Sequence, residues 1–385
     1  RRRSSDSGAP ATPTSEAFLF FDRHTKFGHS EGRVNDRQGA TGLTRSESMM
    51  AAFAPQRNEN IASPGGDLVS VVIPTYNRAH LICDALDSVV AQNYRPIEIV
   101  IVDDGSNDDT ADVVARWRER PGNDTVLLRL VGQNNRGQNP ARNRGILDST
   151  GTLVTFLDSD DCYRPEKVEK QVARFADPEV GAVYCGIANV DMTTGEAEPL
   201  AHAYPEGRMF ERLLVKDITN PTSTYMVRRS VLDRVGIYDE AMSGRTDWEM
   251  TLRIARDHAI AAVPEPLVEF RAHAGPRTAT FREREIAGYR YIREKYADDI
   301  KALPLGARMA ARAAYYRRMG RAHFHGRLSR SKALGYYAAA LACAPTEFDN
   351  WAAFTGFFLP GRLRRGIHQR WNRRLGGTRL AIRSH

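Results

Sequence analysis

The sequence predicts an α/β fold in which helices flank a mainly parallel sheet, followed by an all-helical C-terminal region. Three observations support this prediction. Residues 68–186 alternate apolar strands with helical segments, the strands are apolar without interruption, and residues 285–385 contain no strand pattern. Continuous apolar strands joined by helices are typical of a parallel sheet that is covered on both faces and connected by right-handed crossovers.

The strands and helices follow from the hydrophobic pattern in chain order. Continuous apolar runs predict five strands, at 68–74, 97–104, 125–131, 153–158 and 180–186. Helical spacing between and after them predicts helices at 110–120, 140–150 and 166–175. The later pattern predicts a strand at 223–229, a helix at 247–257, an extended pair at 261–273 and helices at 308–325, 330–343 and 347–358.

Charge divides the chain into three parts. The 385 residues carry a net charge of +8, yet residues 286–385 contain 20 Lys and Arg against 5 Asp and Glu, so residues 67–285 are net acidic. Residues 1–66 are rich in Ser, Gly, Arg and Asn with little periodicity, which predicts a disordered extension. We therefore predict an acidic α/β domain at 67–285 and a basic helical region at 286–385.

Composition excludes several classes of protein. The four cysteines lie far apart with no Cys-x-x-Cys pair, so neither a structural zinc site nor a disulfide scaffold is expected. The sequence has no apolar run of about 18 residues and no secretory signal, which predicts a cytoplasmic protein. The first residue is not Met, and Met49 and Met50 precede the first strand, so we hypothesise that much of 1–48 does not belong to the native protein.

Polar clusters follow three of the predicted strands, at the point where each strand ends. They comprise Pro74, Thr75, Tyr76 and Arg78 after the first strand, Asp103 and Asp104 after the second, and Asp158, Asp160 and Asp161 after the fourth. Because the carboxyl ends of parallel strands meet at one edge, where open sheets bind ligands, we expect these clusters to converge.

Three carboxylates within residues 158–161 repel one another unless a cation or a raised pKa relieves them. A divalent ion that shares its remaining positions with phosphates would do so. The alternative is a solvated acidic turn, and the strand-end position favours the metal. Asp103 and Asp104 could likewise form a turn or accept hydrogen bonds from a nucleotide. Since no Gly-rich phosphate loop is present, metal and basic side chains would have to hold a diphosphate.

Three segments together resemble the nucleotide-sugar-binding half of family 2 glycosyltransferases: VSVVIPTYNR, IVIVDDGSNDDT and NRGQNPARNRGILDSTGTLVTFLDSDD. The resemblance runs from 69 to about 175 and continues more weakly to about 275. It implies a Rossmann-like GT-A catalytic domain, a nucleotide-diphosphate sugar donor and a glycan or lipid-linked hydroxyl acceptor. It also implies Mn²⁺ or Mg²⁺ as cofactor and a role in cell-envelope, capsule or exopolysaccharide synthesis.

The resemblance implies roles for individual residues. Pro74, Thr75 and Tyr76 would line the base and ribose pocket, Asp103 would bond the base, and Arg142 would lie near the nucleotide. Further predicted donor contacts are Arg78, Asp104, Asp158, Trp248 and Glu249. Asp158 and Asp160 match the family's DxD motif, with Asp160 the direct metal ligand and Asp161 a supporting residue. His273 would bind the metal, contact the leaving diphosphate, or do neither.

Thr246-Asp247-Trp248-Glu249 resembles the family's Glu-Asp-Trp-like motif, whose Asp is the general base, although Thr246 stands where an acid is common. The reaction implied is an inverting single displacement in which Asp247 takes the proton of the acceptor hydroxyl. The alternatives for this motif are an Asp that caps a helix and Glu249 as the base.

Two other functions remain open. A sugar-nucleotide nucleotidyltransferase also uses acidic metal sites, but it needs a Gly-rich basic loop that PTYNRAH does not supply. A catalytically inactive sugar-nucleotide or polyanion binder is the other alternative, and the intact carboxylates argue against it.

The basic C-terminal region pairs aromatic residues with arginines. Trp351, Phe354, Phe357 and Phe358 precede Arg362, Arg364 and Arg365. Helices of this composition can lie at a membrane interface, so an anionic surface on the inner face of the cell membrane is one expected partner. The alternative is a helical bundle that packs on the catalytic domain. We expect no nucleic-acid partner, since no corresponding motif is present.

Overall fold

A mixed sheet of nine strands forms the centre of the described structure. The computed structural model describes residues 66–120, 122–192, 194–200, 203–218, 221–272, 281–326 and 328–359. The strands are β1 (Val69–Thr75), β2 (Ile97–Asp103), β3 (Leu127–Gly132), β4 (Leu153–Phe156), β5 (Cys162–Tyr163), β6 (Val180–Asp191), β7 (Ala197–Pro199), β8 (Met226–Arg228) and β9 (Ala259–Ala272).

Helices connect and cover these strands and continue after the last one. The first six are α1 (Ile82–Val90), α2 (Thr110–Arg118), α3 (Gln138–Asp148), α4 (Lys167–Ala173), α5 (Phe210–Val215) and α6 (Arg229–Val235). The next six are α7 (Thr246–Asp257), α8 (Phe281–Lys295), α9 (Ala297–Ala302), α10 (Leu305–His325), α11 (Arg330–Cys343) and α12 (Phe348–Phe358). The C-terminal helices at 308–325, 330–343 and 347–358 are thus confirmed to within a few residues.

The first half of the sheet is parallel, as the apolar runs predict. The strands lie in the order β3-β2-β1-β4, with Val69 opposite both Ile97 and Leu153. Every residue of β1 and β2 is buried, because helices cover both faces. The predicted α/β class with a mainly parallel sheet is therefore confirmed.

The second half of the sheet mixes directions. β8 lies between β4 and β6 and is antiparallel to both. The fourth and fifth predicted strands, which are β4 and β6, therefore do not pair with each other. The extended pair expected at 261–273 is one long strand, β9, parallel to β6. Pro264 and Pro266 lie within this strand, and the pairing with β6 shifts register around Gly186, which lies opposite Pro266.

The first helices of the basic region share a core with the sheet domain. Ile286, Tyr289 and Ile292 of α8 belong to the same buried cluster as Trp248 and Leu213. The contact is close, because a Cβ on Gly288 would lie 2.2 Å from the carbonyl oxygen of Gly244. These helices therefore pack on the α/β part of the molecule, which was the alternative to membrane docking.

The aromatic residues of α12 divide between buried and exposed positions. The ring of Phe357 lies 5.3 Å from that of Phe324 and 6.3 Å from that of Tyr337, whereas Trp351 and Phe358 are 49% and 62% exposed. The arginines at 362, 364 and 365 lie outside the described residues, as do 1–65. Among the described helices none is long and apolar enough to cross a membrane. Membrane docking stays a prediction.

Helix α3 packs on β1 through Gly145, where a Cβ would lie only 2.3 Å from Cγ1 of Val72. We predict that Gly145→Ala lowers the free energy of unfolding by about 1–3 kcal/mol, as overpacking does in cores. Gly306→Ala in α10 is the matched control, because a Cβ there meets nothing within 4 Å. Urea unfolding of both variants tests this, and equal stability of the two would contradict the close packing.

Candidate active site

The carboxyl ends of β1 and β2 bring two of the predicted clusters together. Thr75 pairs with Asp103 in the ladder, and Asp104 N donates to the Thr75 carbonyl at 2.9 Å. The loops beyond the strands are also joined, since Asn77 N donates to Ser106 Oγ at 2.9 Å. Asn77 has a φ of 52°, a left-handed conformation that Asn tolerates better than most residues. The expected convergence at this edge is therefore present.

Within this edge Pro74 and Thr75 are buried, and Tyr76 exposes 44% of its surface. The buried Thr75 Oγ1 has no hydrogen-bond partner among the described residues. The carboxylate of Asp103 is also buried and accepts a bond from Ser106 N at 2.9 Å. An exposed ring beside a buried hydroxyl and carboxylate offers stacking and hydrogen bonding to a planar polar ligand.

Asp104 is held by the protein instead. Its Oδ1 accepts from Gln133 Nε2 at 2.7 Å and from Arg136 N at 2.8 Å, and its Oδ2 accepts from Gly137 N at 2.7 Å. This buried carboxylate therefore organises the loop between β3 and α3. Its predicted contact with a donor remains a prediction.

The third cluster lies at the end of β4, where two arginines meet the acids. Buried Arg142 donates to Asp158 Oδ1 at 2.7 Å, and Arg78 Nε lies 3.9 Å from Asp160 Oδ2. Burial works to lower the pKa of Arg142, but the charge of Asp158 leads the opposing effects and the pKa is raised. The two carboxylates keep about a quarter of their side-chain surface exposed, at 26% and 25%.

Asp161 differs from its neighbours because it is buried. Ser223 Oγ donates to its Oδ2 at 2.6 Å, while Oδ1 has no partner among the described residues. Burial, reinforced by the charge of Asp158, raises its pKa well above the ordinary range. Cations and a raised pKa thus both relieve the repulsion within this cluster.

The donor set of the cluster suits a hard divalent ion. Asp158 and Asp160 offer carboxylate oxygens at a partly open edge, which is how Mg²⁺-like ions bind when substrate phosphates complete the shell. The described residues contain no group of three His, Cys, Asp or Glu side chains poised for a metal. His273, the third predicted ligand, lies outside the described residues.

Asp247 lies in the first turn of α7, half-buried, and its Oδ1 accepts from Trp248 N at 2.9 Å. Burial, followed by the charge of Asp217, raises the pKa of Asp247, and the charge of Arg245 opposes the shift. The charge of Asp247 also acts on Arg142, the residue bonded to Asp158. The carboxylate is therefore close enough to Arg142 to interact with it electrostatically.

The two residues after Asp247 are enclosed by protein. Trp248 is buried and its Nε1 donates to the Leu213 carbonyl at 3.1 Å. Glu249, only 1% exposed, accepts bonds from Arg253 at 3.0 Å and from Lys295 at 2.8 Å. The structure gives both side chains internal partners and leaves Asp247 as the partly accessible acid of this motif.

Arg245 is a residue that the sequence did not single out. It has a left-handed φ of 60°, and its guanidinium contacts Asp217 at 3.1 Å, Glu285 and the ring of Tyr289. These contacts fix the loop that begins α7 and hence the position of Asp247. Glu285 lies 40 residues away on α8, so local sequence offered no signal for the pairing.

Comparison with known proteins agrees with this geometry. Residues 70–236 match the family model described as glycosyl transferase family 2. The chain carries a family 2 glycosyltransferase domain. It is similar to an uncharacterized glycosyltransferase of Rickettsia prowazekii, at 29% identity over 58% of this chain and 68% of that protein. A second uncharacterized glycosyltransferase, from Nostoc, is 34% identical over 43% of this chain, which spans about half (52%) of that protein's length.

Solved structures confirm the GT-A type of fold. The glycosyltransferase chain aligns with residues 1–349 of S. aureus TarS at a TM-score of 0.52 and 17% identity, covering 78% of this chain and 91% of that one. A mannosyltransferase of Pyrobaculum calidifontis aligns at 0.51 and 23% identity, covering 82% and 86%. The family model and the glycosyltransferase relatives confirm the prediction of a transferase enzyme, and they favour neither a nucleotidyltransferase nor an inactive binder.

Because Glu249 has internal partners, we expect its loss to lower the stability of the protein. Glu249→Ala leaves Arg253 and Lys295 without their shared carboxylate, so we expect the free energy of unfolding to fall by about 2–3 kcal/mol. Glu265→Ala is the control, because its pair with Lys170 is exposed and contributes little. Chemical denaturation measures both, and an unaltered midpoint for Glu249→Ala would show that this side chain is not structural.

Proposed function

We propose that the protein transfers a sugar from a nucleotide-diphosphate donor to a hydroxyl of a glycan or lipid-linked acceptor, with a divalent metal and inversion at the anomeric carbon. The observation that carries the proposal is that Arg142 is bonded to Asp158 at the acidic strand end and also interacts electrostatically with the half-buried Asp247. Metal-binding acids and a candidate base are thereby gathered at one edge. A role in envelope, capsule or exopolysaccharide synthesis is part of the same proposal.

The nucleotide would bind at the ends of β1 and β2. The exposed ring of Tyr76 would stack on the base, and the unpartnered hydroxyl of Thr75 would gain a hydrogen bond from the ribose or base. Asp103, held by Ser106 N, is oriented to accept from the base. The Pyrobaculum mannosyltransferase, whose structure contains GDP-Man and Mn²⁺, supports a nucleotide sugar as donor for this fold.

Asp158 and Asp160 would hold Mn²⁺ or Mg²⁺ together with the donor diphosphate. When bound, the metal supplies positive charge that stabilises the departing diphosphate. Arg78 and Arg142 already lie against these carboxylates, so their guanidinium groups can contribute to the same charge stabilisation. Asp161, whose pKa is raised by burial, supports the turn through Ser223.

Asp247 would act as the general base. Its Oδ1 is engaged by Trp248 N, which leaves Oδ2 to take the proton of the acceptor hydroxyl. As that proton leaves, the acceptor oxygen bonds to the anomeric carbon and the bond from this carbon to the diphosphate oxygen breaks. A raised pKa suits this role, since a base works best when its pKa approaches the working pH.

We predict that Asp160→Ala weakens Mn²⁺-dependent donor binding by at least about 10–100-fold, the usual cost of losing a residue that only orients a ligand, because here the metal loses the carboxylate ligand itself. The metal-free protein should not become less stable, since one charge leaves a repelling cluster. Titration calorimetry with nucleotide-sugar donors and Mn²⁺ measures the binding, and Asp112→Ala in α2, which removes a carboxylate outside the cluster, serves as the control. Near-normal metal-dependent turnover of Asp160→Ala would overturn the metal assignment.

We predict that Asp247→Asn lowers turnover by about 10²–10⁴-fold while donor and metal binding persist. In the parent enzyme, turnover should rise with pH as the carboxylate loses its proton. This acid limb should lie above 3.8, the ordinary pKa of Asp, because burial raises the pKa. A pH–rate profile of kcat shows the limb. Equal losses in donor affinity and turnover would count against the role as base.

A further inference from the structure

A groove of about 400 Å³ lies where α8, α10 and α11 meet, outside the family-matched segment 70–236. Two cationic residues and three aromatic rings line much of it: Arg290, Lys332, Tyr316, His323 and Tyr336. Its volume is at the small end of the range for ligand sites, about 300–1,000 Å³. The groove could therefore hold a short segment of a polymer chain. None of the residues that line it takes part in the proposed transfer reaction.

The aromatic rings form a stacked series along the groove. His323 and Tyr336 have ring centroids 5.5 Å apart with an interplanar angle of 16°, and Tyr336 lies 6.2 Å from Tyr316 at 29°. Rings held in this way keep fixed faces with little conformational freedom to lose on binding. The apolar C–H face of a sugar ring can pack against the edges and outer faces that this stack leaves uncovered.

Positive charge lies around the same rings. Arg290 and Lys332 are exposed, and neither forms an ion pair with an acidic side chain in the part of the chain that the structure describes. Burial, followed by the charges of Lys332 and Arg290, lowers the pKa of His323. Both cations therefore lie close enough to act on one imidazole, and no acid lines the groove.

The two ring nitrogens of His323 lack hydrogen-bond partners among the described residues. The residue is only 9% exposed. Buried polar atoms in folded proteins are normally bonded, and these two nitrogens are closed off from the groove by the surrounding protein. A polar occupant of the groove would bond to them only after the ring turns toward it.

We propose that this groove binds an anionic oligosaccharide, with sugar rings against the aromatic series and acidic groups on Arg290 and Lys332. The choice of carbohydrate rests on the proposed glycosyltransferase function, and it identifies the acceptor as an acidic glycan. The groove would hold a part of the acceptor away from the reacting hydroxyl.

Gly335 provides a direct test because it lines the groove and a Cβ there meets nothing within 4 Å. Gly335→Glu places a negative charge in the groove on a helix that tolerates it. Gly306→Glu in α10 is the matched control, with the same change of charge at another open helical position. The probes are fluorescent hexagalacturonate, neutral maltohexaose and hexauridylate, titrated by fluorescence anisotropy with the full chain.

We expect hexagalacturonate to bind more tightly than maltohexaose and Gly335→Glu to weaken it by about tenfold or more, because like charges repel. Gly306→Glu should bind as the parent does, and Arg290→Gln with Lys332→Gln should reproduce the loss. Equal weakening by both glutamate variants, or equal binding of the neutral sugar, would overturn the proposal. Tighter, groove-dependent binding of hexauridylate would indicate a nucleic-acid site instead.

The proposed function can fail separately from the groove. Asp160→Ala should abolish metal-dependent donor turnover yet leave hexagalacturonate binding unchanged. If the parent protein hydrolyses no nucleotide sugar but binds hexagalacturonate through the groove, the transfer reaction is wrong and the binding site stands. If it turns over donors and hexagalacturonate does not bind, the groove proposal is wrong.

Discussion

The ion pair between Arg142 and Asp158 is the interaction on which the candidate site depends. Four acids lie near one strand edge, and two of them, Asp161 and Asp247, have raised pKa values because they are desolvated. The buried guanidinium of Arg142 is bonded to Asp158 and lies close to Asp247. Its positive charge offsets part of the repulsion among these carboxylates. Tyr238, whose ring lies 5.6 Å from the guanidinium, encloses it further. The edge can therefore concentrate negative charge without losing its fold.

A second constraint comes from the helices that follow the sheet domain. The left-handed Arg245 is held by Asp217 and by Glu285 of α8, and Gly288 of the same helix contacts the preceding Gly244. Lys295, also on α8, completes the ion pairs of Glu249 in α7. The helix that carries the candidate base is thus anchored from the basic region. These helices therefore help to hold the candidate base in position.

The acidic edge and the groove differ in the chemistry of the ligands that they suit. The acidic edge at β1, β2 and β4 suits a metal and a diphosphate, whereas the cationic, aromatic groove between α8, α10 and α11 suits an acidic sugar chain. Helix α8 contributes to both, through Glu285 near the base and Arg290 in the groove. Because one rigid helix joins them, an acceptor bound in the groove would be held at a fixed distance from the site of transfer.

The sequence by itself determined the fold class, most of the elements and the residues of the acidic edge. Those follow from local causes: apolar runs must be buried, and the carboxyl ends of parallel strands must meet. The tertiary structure decided which polar residues remain accessible. Asp104 and Glu249 carry the same carboxyl group as Asp247, but hydrogen-bond partners enclose both of them, whereas Asp247 stays partly accessible. Contacts between segments far apart in the chain decide three features: the position of β8 between β4 and β6, the ion pairs that hold Arg245, and the groove around His323. Hydrophobic periodicity records which face of an element is buried, and it carries no information on which other element buries it.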